Sequence, residues 1–318
     1  MEKKRVLLIA GGGTLGRYTA KELLRLGHRV DIICLENYLS DNPDLRYFTE
    51  RVSLELLEKL FAENRYNGVV NFIHYPEVAD YEPYHKLISE NCDHMIFLSS
   101  YRTYTDLEHP ITETSPKLID VMDDPNLHQN EKYAMSKSRG ERYLAAFQGR
   151  KNWTVVRPVI SFSDRRLDIL THSGHDVLEK EVLYMPLVTK DLHAGLDWAG
   201  NSGKLIANLL FKPGTIGEAY TITTGQNLTW GQVAEEYTAV TGVKFEWVSM
   251  EEFLRENPRV TRDPFYLKYD RLYDRETDPS KVFAATGLTS ADFATIRQGI
   301  EIEVEIAKNE MNGKRIKK

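Results

Sequence analysis

The feature that most constrains this chain lies in its first sixteen residues, where the apolar run Val6 to Ala10 breaks into Gly11, Gly12, Gly13, Thr14, Leu15 and Gly16. Such a run suits a buried strand, and Leu23, Leu24 and Leu26 follow with helical spacing up to Gly27. The segment reads as strand, tight turn and helix. Glycine fits this turn because positive φ costs it little, and because backbone without a Cβ can approach a pyrophosphate at the positive end of the helix. Glycine-rich turns also serve structural ends, so the turn alone does not establish a nucleotide site.

A chain of 318 residues has room for two domains or one large one. With 42% hydrophobic and 28% charged residues the composition is that of a globular protein, and no apolar run is long enough to cross a bilayer as a helix. The net charge of -6 gives no electrostatic reason to expect nucleic acid as a main partner, and the basic tail Lys314 to Lys318 reads as a frayed end. Glu2-Lys3-Lys4-Arg5 and the short apolar run after it read as a first strand and not as a signal peptide. Two cysteines, Cys34 and Cys92, are too few for a disulfide framework and suit a reducing compartment, so the cytoplasm is the expected location.

Strand and helix patterns alternate along the first half. Arg29 to Leu35, Gly68 to Ile73, Met95 to Leu98 and Trp153 to Val156 read as strands, and Leu54 to Phe61, His85 to Asn91 and Glu131 to Phe147 as helices. That alternation predicts an α/β fold with a doubly wound parallel sheet of the Rossmann type over 1–165. Asp106 to Glu131, rich in Pro, Asp, Glu and Asn, reads as a long surface excursion. Beyond Arg157-Pro158 the rhythm loosens, and 166–318 reads mainly as a smaller α+β substrate lobe with some segments returning to the sheet. Ligands of such a sheet sit at the carboxyl ends of its strands, which here means Glu36, Glu50, Ile73, His74, Ser99 and Ser100. Glu36 follows the second strand about 20 residues past the glycines, where a carboxylate hydrogen-bonds the adenosine ribose and repels a 2′-phosphate, so it argues for NAD over NADP; the position also suits a solvated charge at a strand end.

Tyr133-Ala-Met-Ser-Lys137 carries the chemistry. Residues four apart share a helix face, so Lys137 can set its ammonium beside the Tyr133 phenol. A nearby cation favours the phenolate, which makes a tyrosine useful as a base near neutrality. The spacing also fits an ordinary surface pair. A serine hydroxyl at Ser99 or Ser100, at the end of a neighbouring strand, could bind the same substrate oxygen.

Taken together, Ala10 to Gly16, the segment Met95 to Asp106, Tyr133 to Lys137, Arg157-Pro158 and the Pro110 to Pro116 loop resemble the extended short-chain dehydrogenase/reductase superfamily, in its NAD-dependent epimerase/dehydratase group. Tyr220-Thr-Ile-Thr, Leu228-Thr-Trp230 and Asp278-Pro-Ser-Lys281 resemble its sugar-nucleotide epimerase-like branch, which includes chloroplast stem-loop-binding relatives. The resemblance implies Tyr133 as acid/base, Lys137 lowering its pKa and holding the nicotinamide ribose, and Ser100 orienting the substrate hydroxyl. It implies further cofactor contacts from Gly11, Gly13, Thr14, Leu15 and Gly16 in the turn. Others come from Glu36 and Glu50, from Phe72, Ile73 and His74, and from Ser99 and Pro158. The implied reaction removes a proton from a sugar hydroxyl while hydride passes to the nicotinamide, and its return gives an epimer or, after loss of water, a dehydrated product. The chain departs from the family pattern at Ala10, in place of the first glycine, and at Cys34, near the usual place of the carboxylate. Ile160 stands where a substrate-binding asparagine is common, and Ser163 where glycine is.

Arg271 and Arg275 could clamp a substrate diphosphate through bidentate hydrogen bonds, or pair on the surface with Asp270 and Asp274. His172-x-x-His175 and Cys92-x-His94 lack further ligands at a telling spacing, so no metal is expected. Trp198, Trp230 and Trp247 read as core or lobe-interface residues. The expected function is an NAD-dependent epimerase or dehydratase acting on a nucleotide-linked sugar, with a homodimer implied only by resemblance. The alternatives are an NAD(P)H-dependent reductase of a small carbonyl compound, and a non-catalytic NAD-binding protein that binds RNA or a partner.

Overall fold

The computed structural model describes residues 2–167, 169–170, 175–258, 260 and 267–316. The strands are β1 (Arg5–Ile9), β2 (Arg29–Cys34), β3 (Leu45–Thr49), β4 (Tyr66–Asn71), β5 (Cys92–Leu98), β6 (Trp153–Pro158), β7 (Ile160–Phe162), β8 (Val182–Pro186), β9 (Leu196–Trp198), β10 (Ala219–Ile222) and β11 (Lys244–Val248). The first six and β10 form a seven-stranded parallel sheet in the order β10-β6-β5-β4-β1-β2-β3. The winding direction reverses between β1 and β4, and the crevice outside their carboxyl ends is where ligands of such sheets bind.

The helices are α1 (Thr14–Arg25), α2 (Leu54–Glu63), α3 (Val78–Asn91), α4 (Leu118–Val121), α5 (Pro125–Asn130), α6 (Lys132–Ala146), α7 (Asp176–Glu179), α8 (Ala199–Leu209), α9 (Trp230–Thr241), α10 (Met250–Glu256), α11 (Ser280–Thr286) and α12 (Ile296–Ile316). Side chains alternate across a strand, and in β1 both sets are apolar. Val6 and Leu8 pack with Leu23 of α1 and Leu205 and Leu209 of α8. Leu7 and Ile9 pack on the opposite face with Leu57 and Leu60 of α2 and Ile88 of α3. A strand buried on both sides has one register with every apolar group covered, and Ile9 accordingly aligns with Ile33 on one side and Asn71 on the other.

Beyond β7 the chain builds a lobe around the parallel pair β8–β11, with Met185, Trp230, Tyr237 and Phe253 in its core. It also returns to the sheet, since β10 pairs with β6 and α8 lies on α1. Trp198 stacks edge-on against Tyr18 of α1 and donates to Glu303 of α12 at 2.5 Å, tying these parts together. The expected surface excursion of 106–131 is more ordered than its composition suggests. It contains α4 and α5, whose Leu118 and Leu127 are buried with Ala134, Met135 and Tyr269. Two leucines are too few to show a period, and the surrounding carboxylates mask them. Among the described residues no helix is long and apolar enough to cross a membrane.

Candidate active site

At the carboxyl end of β1 the chain turns sharply into α1. Ala10 takes a left-handed backbone with φ of 55°, which costs a residue with a side chain about 1–2 kcal/mol. A Cβ on Gly16 would lie 2.2 Å from the Gly11 carbonyl oxygen, so the helix can begin this close to the turn only with glycine there. A Cβ on Gly13 would meet nothing within 4 Å. The space before the α1 N-terminus is therefore open, and the unpaired amides and positive dipole end of the helix face it. Glu36 reaches this turn from the end of β2, for a Cβ on Gly12 would meet its Oε2 at 2.6 Å. Arg165, beyond β7, crosses the same place: it donates to the Gly12 carbonyl at 3.1 Å and to the Tyr38 hydroxyl, and pairs with Glu36 at 3.4 Å. An open cradle with a carboxylate at its rim fits the pyrophosphate and ribose of a dinucleotide.

From the turn, a cleft of about 540 Å³ extends over the neighbouring strand ends. Ala10, Gly13, Thr14, Leu15 and Gly16 line it, as do Phe72, Leu98, Ser99 and Pro158. Ser100 and Tyr133 share its wall with Tyr101, Arg102, Ile160, Ser161, Arg166, Asp270 and Arg271. Tyr133 is on the first turn of α6, where Glu131 caps the helix by accepting the Ala134 N–H at 3.0 Å. Burial pushes the Tyr133 phenol up, and Arg102, Ser100 and Arg166 act against that. The Ser100 hydroxyl accepts the Arg102 N–H at 3.2 Å, which fixes its direction.

Lys137 lies beneath the cleft wall, donating to the Leu98 carbonyl at 2.6 Å, with its ammonium 5.7 Å from the Tyr133 ring centre. Burial takes its pKa down to about 7, with Glu141 opposing. Glu141, one turn further on, is the centre of a buried network. It accepts from Ser99, from Arg157 at 2.7 and 2.9 Å, and from Lys117 at 2.7 Å. Lys137 and Glu141, on the helix face that also carries Tyr133, thus tie the ends of β5 and β6 together.

A protein-family model for the NAD dependent epimerase/dehydratase family matches residues 7–178. The chain belongs to that family. No curated protein sequence matches it at a significant level. Among solved structures it is similar to a UDP-glucose 4-epimerase from Stenotrophomonas maltophila, crystallised with NAD and formylated UDP-arabinopyranose, at 14% identity and a TM-score of 0.73 over 97% of this chain and 99% of that one. It is also similar to the epimerase Mth375 from Methanothermobacter thermautotrophicus, at 14% identity and a TM-score of 0.73 over 99% and 95%. A UDP-glucose 4-epimerase from Bifidobacterium longum, in complex with NAD+ and UDP, follows at 19% identity and a TM-score of 0.66 over 97% and 99%. At these identities the likeness is one of fold.

This member of the epimerase/dehydratase family places several expected residues elsewhere. Glu50, at the end of β3, is exposed and does not line the cleft. Ile73 is turned into the apolar layer under α2 and α3, because Asn71 accepts its N–H at 3.0 Å and redirects the chain. His74 stands behind Tyr133, its ring 5.0 Å from the phenol ring and its Nε2 2.7 Å from Ser136 Oγ; burial and Lys137 hold its pKa down. Arg275 is not half of a phosphate clamp. It is 1% exposed and donates to the carbonyls of Tyr104, Thr105 and Tyr269, which makes it a brace for the loop. Arg271 does reach the cleft, held by Asp270 at 2.5 Å. Of the metal candidates, His94 uses one ring nitrogen with Thr154 at 2.8 Å and the other to accept the Phe211 N–H at 2.9 Å. His172 lies outside the described residues, and among those described no three metal-ligating side chains converge.

Sequence reasoning missed Tyr101, Arg102, Arg166 and Asp270. Arg102 had a local signal, two positions after Ser100. Arg166 and Asp270 had none, since folding brings them from 66 and 170 residues beyond Ser100.

Proposed function

We propose that this chain is an NAD-dependent epimerase or dehydratase of a nucleotide-linked sugar, with Tyr133 as its acid/base group. The observation that carries this reading is one cleft lined at once by the open glycine turn and by the pair Ser100 and Tyr133. When bound, the nicotinamide dinucleotide supplies a hydride acceptor and donor. Gly11, Gly13, Thr14, Leu15 and Gly16 would hold its pyrophosphate, and Glu36 the adenosine ribose, which favours NAD over NADP. Phe72, Ser99 and Pro158 would line its nicotinamide half, with Lys137 below.

Ser100 orients the substrate hydroxyl by hydrogen bonding, and Tyr133 takes its proton at the phenol oxygen and later returns one. Phe72, Leu98 and Pro158 give the cleft apolar surface that would keep water from the reacting carbon. Arg271, which lines the cleft, would meet the substrate's anionic part, and Ile160 would give that wall an apolar surface where an amide would select a sugar hydroxyl. The solved structures of similar fold that bind UDP-sugars support this substrate class.

The test is calorimetry with NAD and NADP, followed by thermal-shift screening of nucleotide sugars and NMR of the product. Tyr133→Phe should bind NAD and lose turnover by 100-fold or more, on the order expected for removing an acid/base group. Full turnover in that variant would sink the mechanism. Consumption of NADH in proportion to product would mark a reductase instead.

A further inference from the structure

Ionisable side chains face Tyr133 from several elements. Its own helix carries Lys137, the loop after β5 carries Arg102, and the loop after β4 carries His74, whose pKa burial holds down. Arg166 follows β7, and Asp270 belongs to the turn Leu267–Arg271. Spacing in the sequence singles out Lys137. That ammonium, however, is committed to the Leu98 carbonyl at 2.6 Å, and with a pKa taken by burial down to about 7 it is charged only part of the time near neutrality.

Arg102 differs on both counts. Its guanidinium carbon is 5.3 Å from the Tyr133 ring centre, and the group keeps its proton at any pH a protein meets. Its Nη2 donates to Glu131 Oε2 at 2.6 Å, and its Nε is 3.7 Å from Asp270 Oδ2. Glu131 is the side chain that caps α6, so one carboxylate fixes both the start of the helix bearing Tyr133 and the cation beside it. The Arg102 amide meanwhile holds the Ser100 hydroxyl.

We propose that Arg102, clamped by Glu131, is a positioning residue for proton transfer, supplying the permanent positive charge that favours the Tyr133 phenolate. The proposal rests on Tyr133 being the acid/base group. It assigns to Arg102 the electrostatic part that helix spacing gives to Lys137, and leaves Lys137 to the cofactor ribose. Among the influences that oppose burial of the phenol, Arg102 stands first, ahead of Ser100 and Arg166.

Tyrosine ring 13C NMR on the NAD-saturated protein tests this, with the Tyr133 signal assigned by its absence in Tyr133→Phe. Arg102→Met should move the Tyr133 titration up by about one pH unit or more, Arg102→Lys should restore most of it, and Lys137→Met should move it less. On an identified substrate the acid limb of kcat should move the same way while NAD affinity stays within about 2-fold. Should Arg102→Met fail to fold, Arg102→Gln keeps donors for Glu131 and gives the same comparison. An unmoved Tyr133 titration, or a larger move in Lys137→Met, would overturn the proposal. The titration needs no substrate, so a shifted signal in a protein that turns over no nucleotide sugar would count against the functional reading and not against the role of Arg102.

Discussion

Replacing Glu141 by glutamine keeps the shape of the side chain and removes one charge from beneath the cleft. In the folded chain the carboxylate accepts from Ser99, Arg157 and Lys117 and is 6% exposed. Burial pushes its pKa up, but Arg157 and Lys117 outweigh that and bring it from 4.5 down to about 2. A carboxyl with a depressed folded pKa contributes stability that is present above its unfolded value and lost as pH falls toward the folded one. The drop corresponds to roughly 3 kcal/mol at neutral pH. A separate argument gives a similar figure, since leaving a buried cation without its partner costs about 3–5 kcal/mol. Guanidinium unfolding at pH 7 should therefore show Glu141→Gln less stable by about 3 kcal/mol, and its thermal midpoint should fall by roughly 5 °C. The gap should shrink as the pH is lowered from about 4.5 toward about 2, because over that range the carboxyl of the unfolded wild type takes up a proton before the folded one does, whereas the amide does not titrate. A variant within about 1 kcal/mol of wild type at pH 7, or a gap that does not narrow in acid, would refute the reasoning.

Ala10→Gly should stabilise the chain by about 1 kcal/mol, the relief of left-handed strain exceeding glycine's gain in unfolded-state entropy, and calorimetry should show tighter NAD binding. A lowered melting point would contradict it. Lys137→Met separates stability from function: the lysine's folded pKa is below its unfolded 10.5, so wild-type stability rises relative to the variant from pH 7 to pH 10, as paired unfolding curves would show. A constant difference would mean the ammonium is not desolvated. Arg275→Met should cost about 3 kcal/mol by stranding three carbonyls, with an unchanged substrate KM in the folded fraction. A raised KM at unchanged stability would return Arg275 to the cleft.

Much of this site was legible because its signals are local. The run Val6 to Ile9 had to be a strand covered on both faces, since no residue in it tolerates water. Gly16 announced the turn because a Cβ there would collide with the Gly11 carbonyl, and Gly13 leaves the space before the helix open. Tyr133 and Lys137 lay on one helix face by period alone.

What the sequence by itself determined is therefore the alternation of β1, β2, β4, β5 and β6 with α1, α2, α3 and α6, the glycine turn, and the placing of Ser100 and Tyr133 at strand and helix ends. Tertiary structure alone decided which cation stands beside the phenol, which arginine enters the cleft and which braces a loop. Those outcomes depend on which carbonyls and carboxylates arrive from distant segments. Lys137 finds the Leu98 carbonyl, Arg102 finds Glu131 and Asp270, and Arg275 finds three backbone oxygens. A long charged side chain goes to the partner that best offsets its desolvation, and spacing along the chain does not encode where that partner will be.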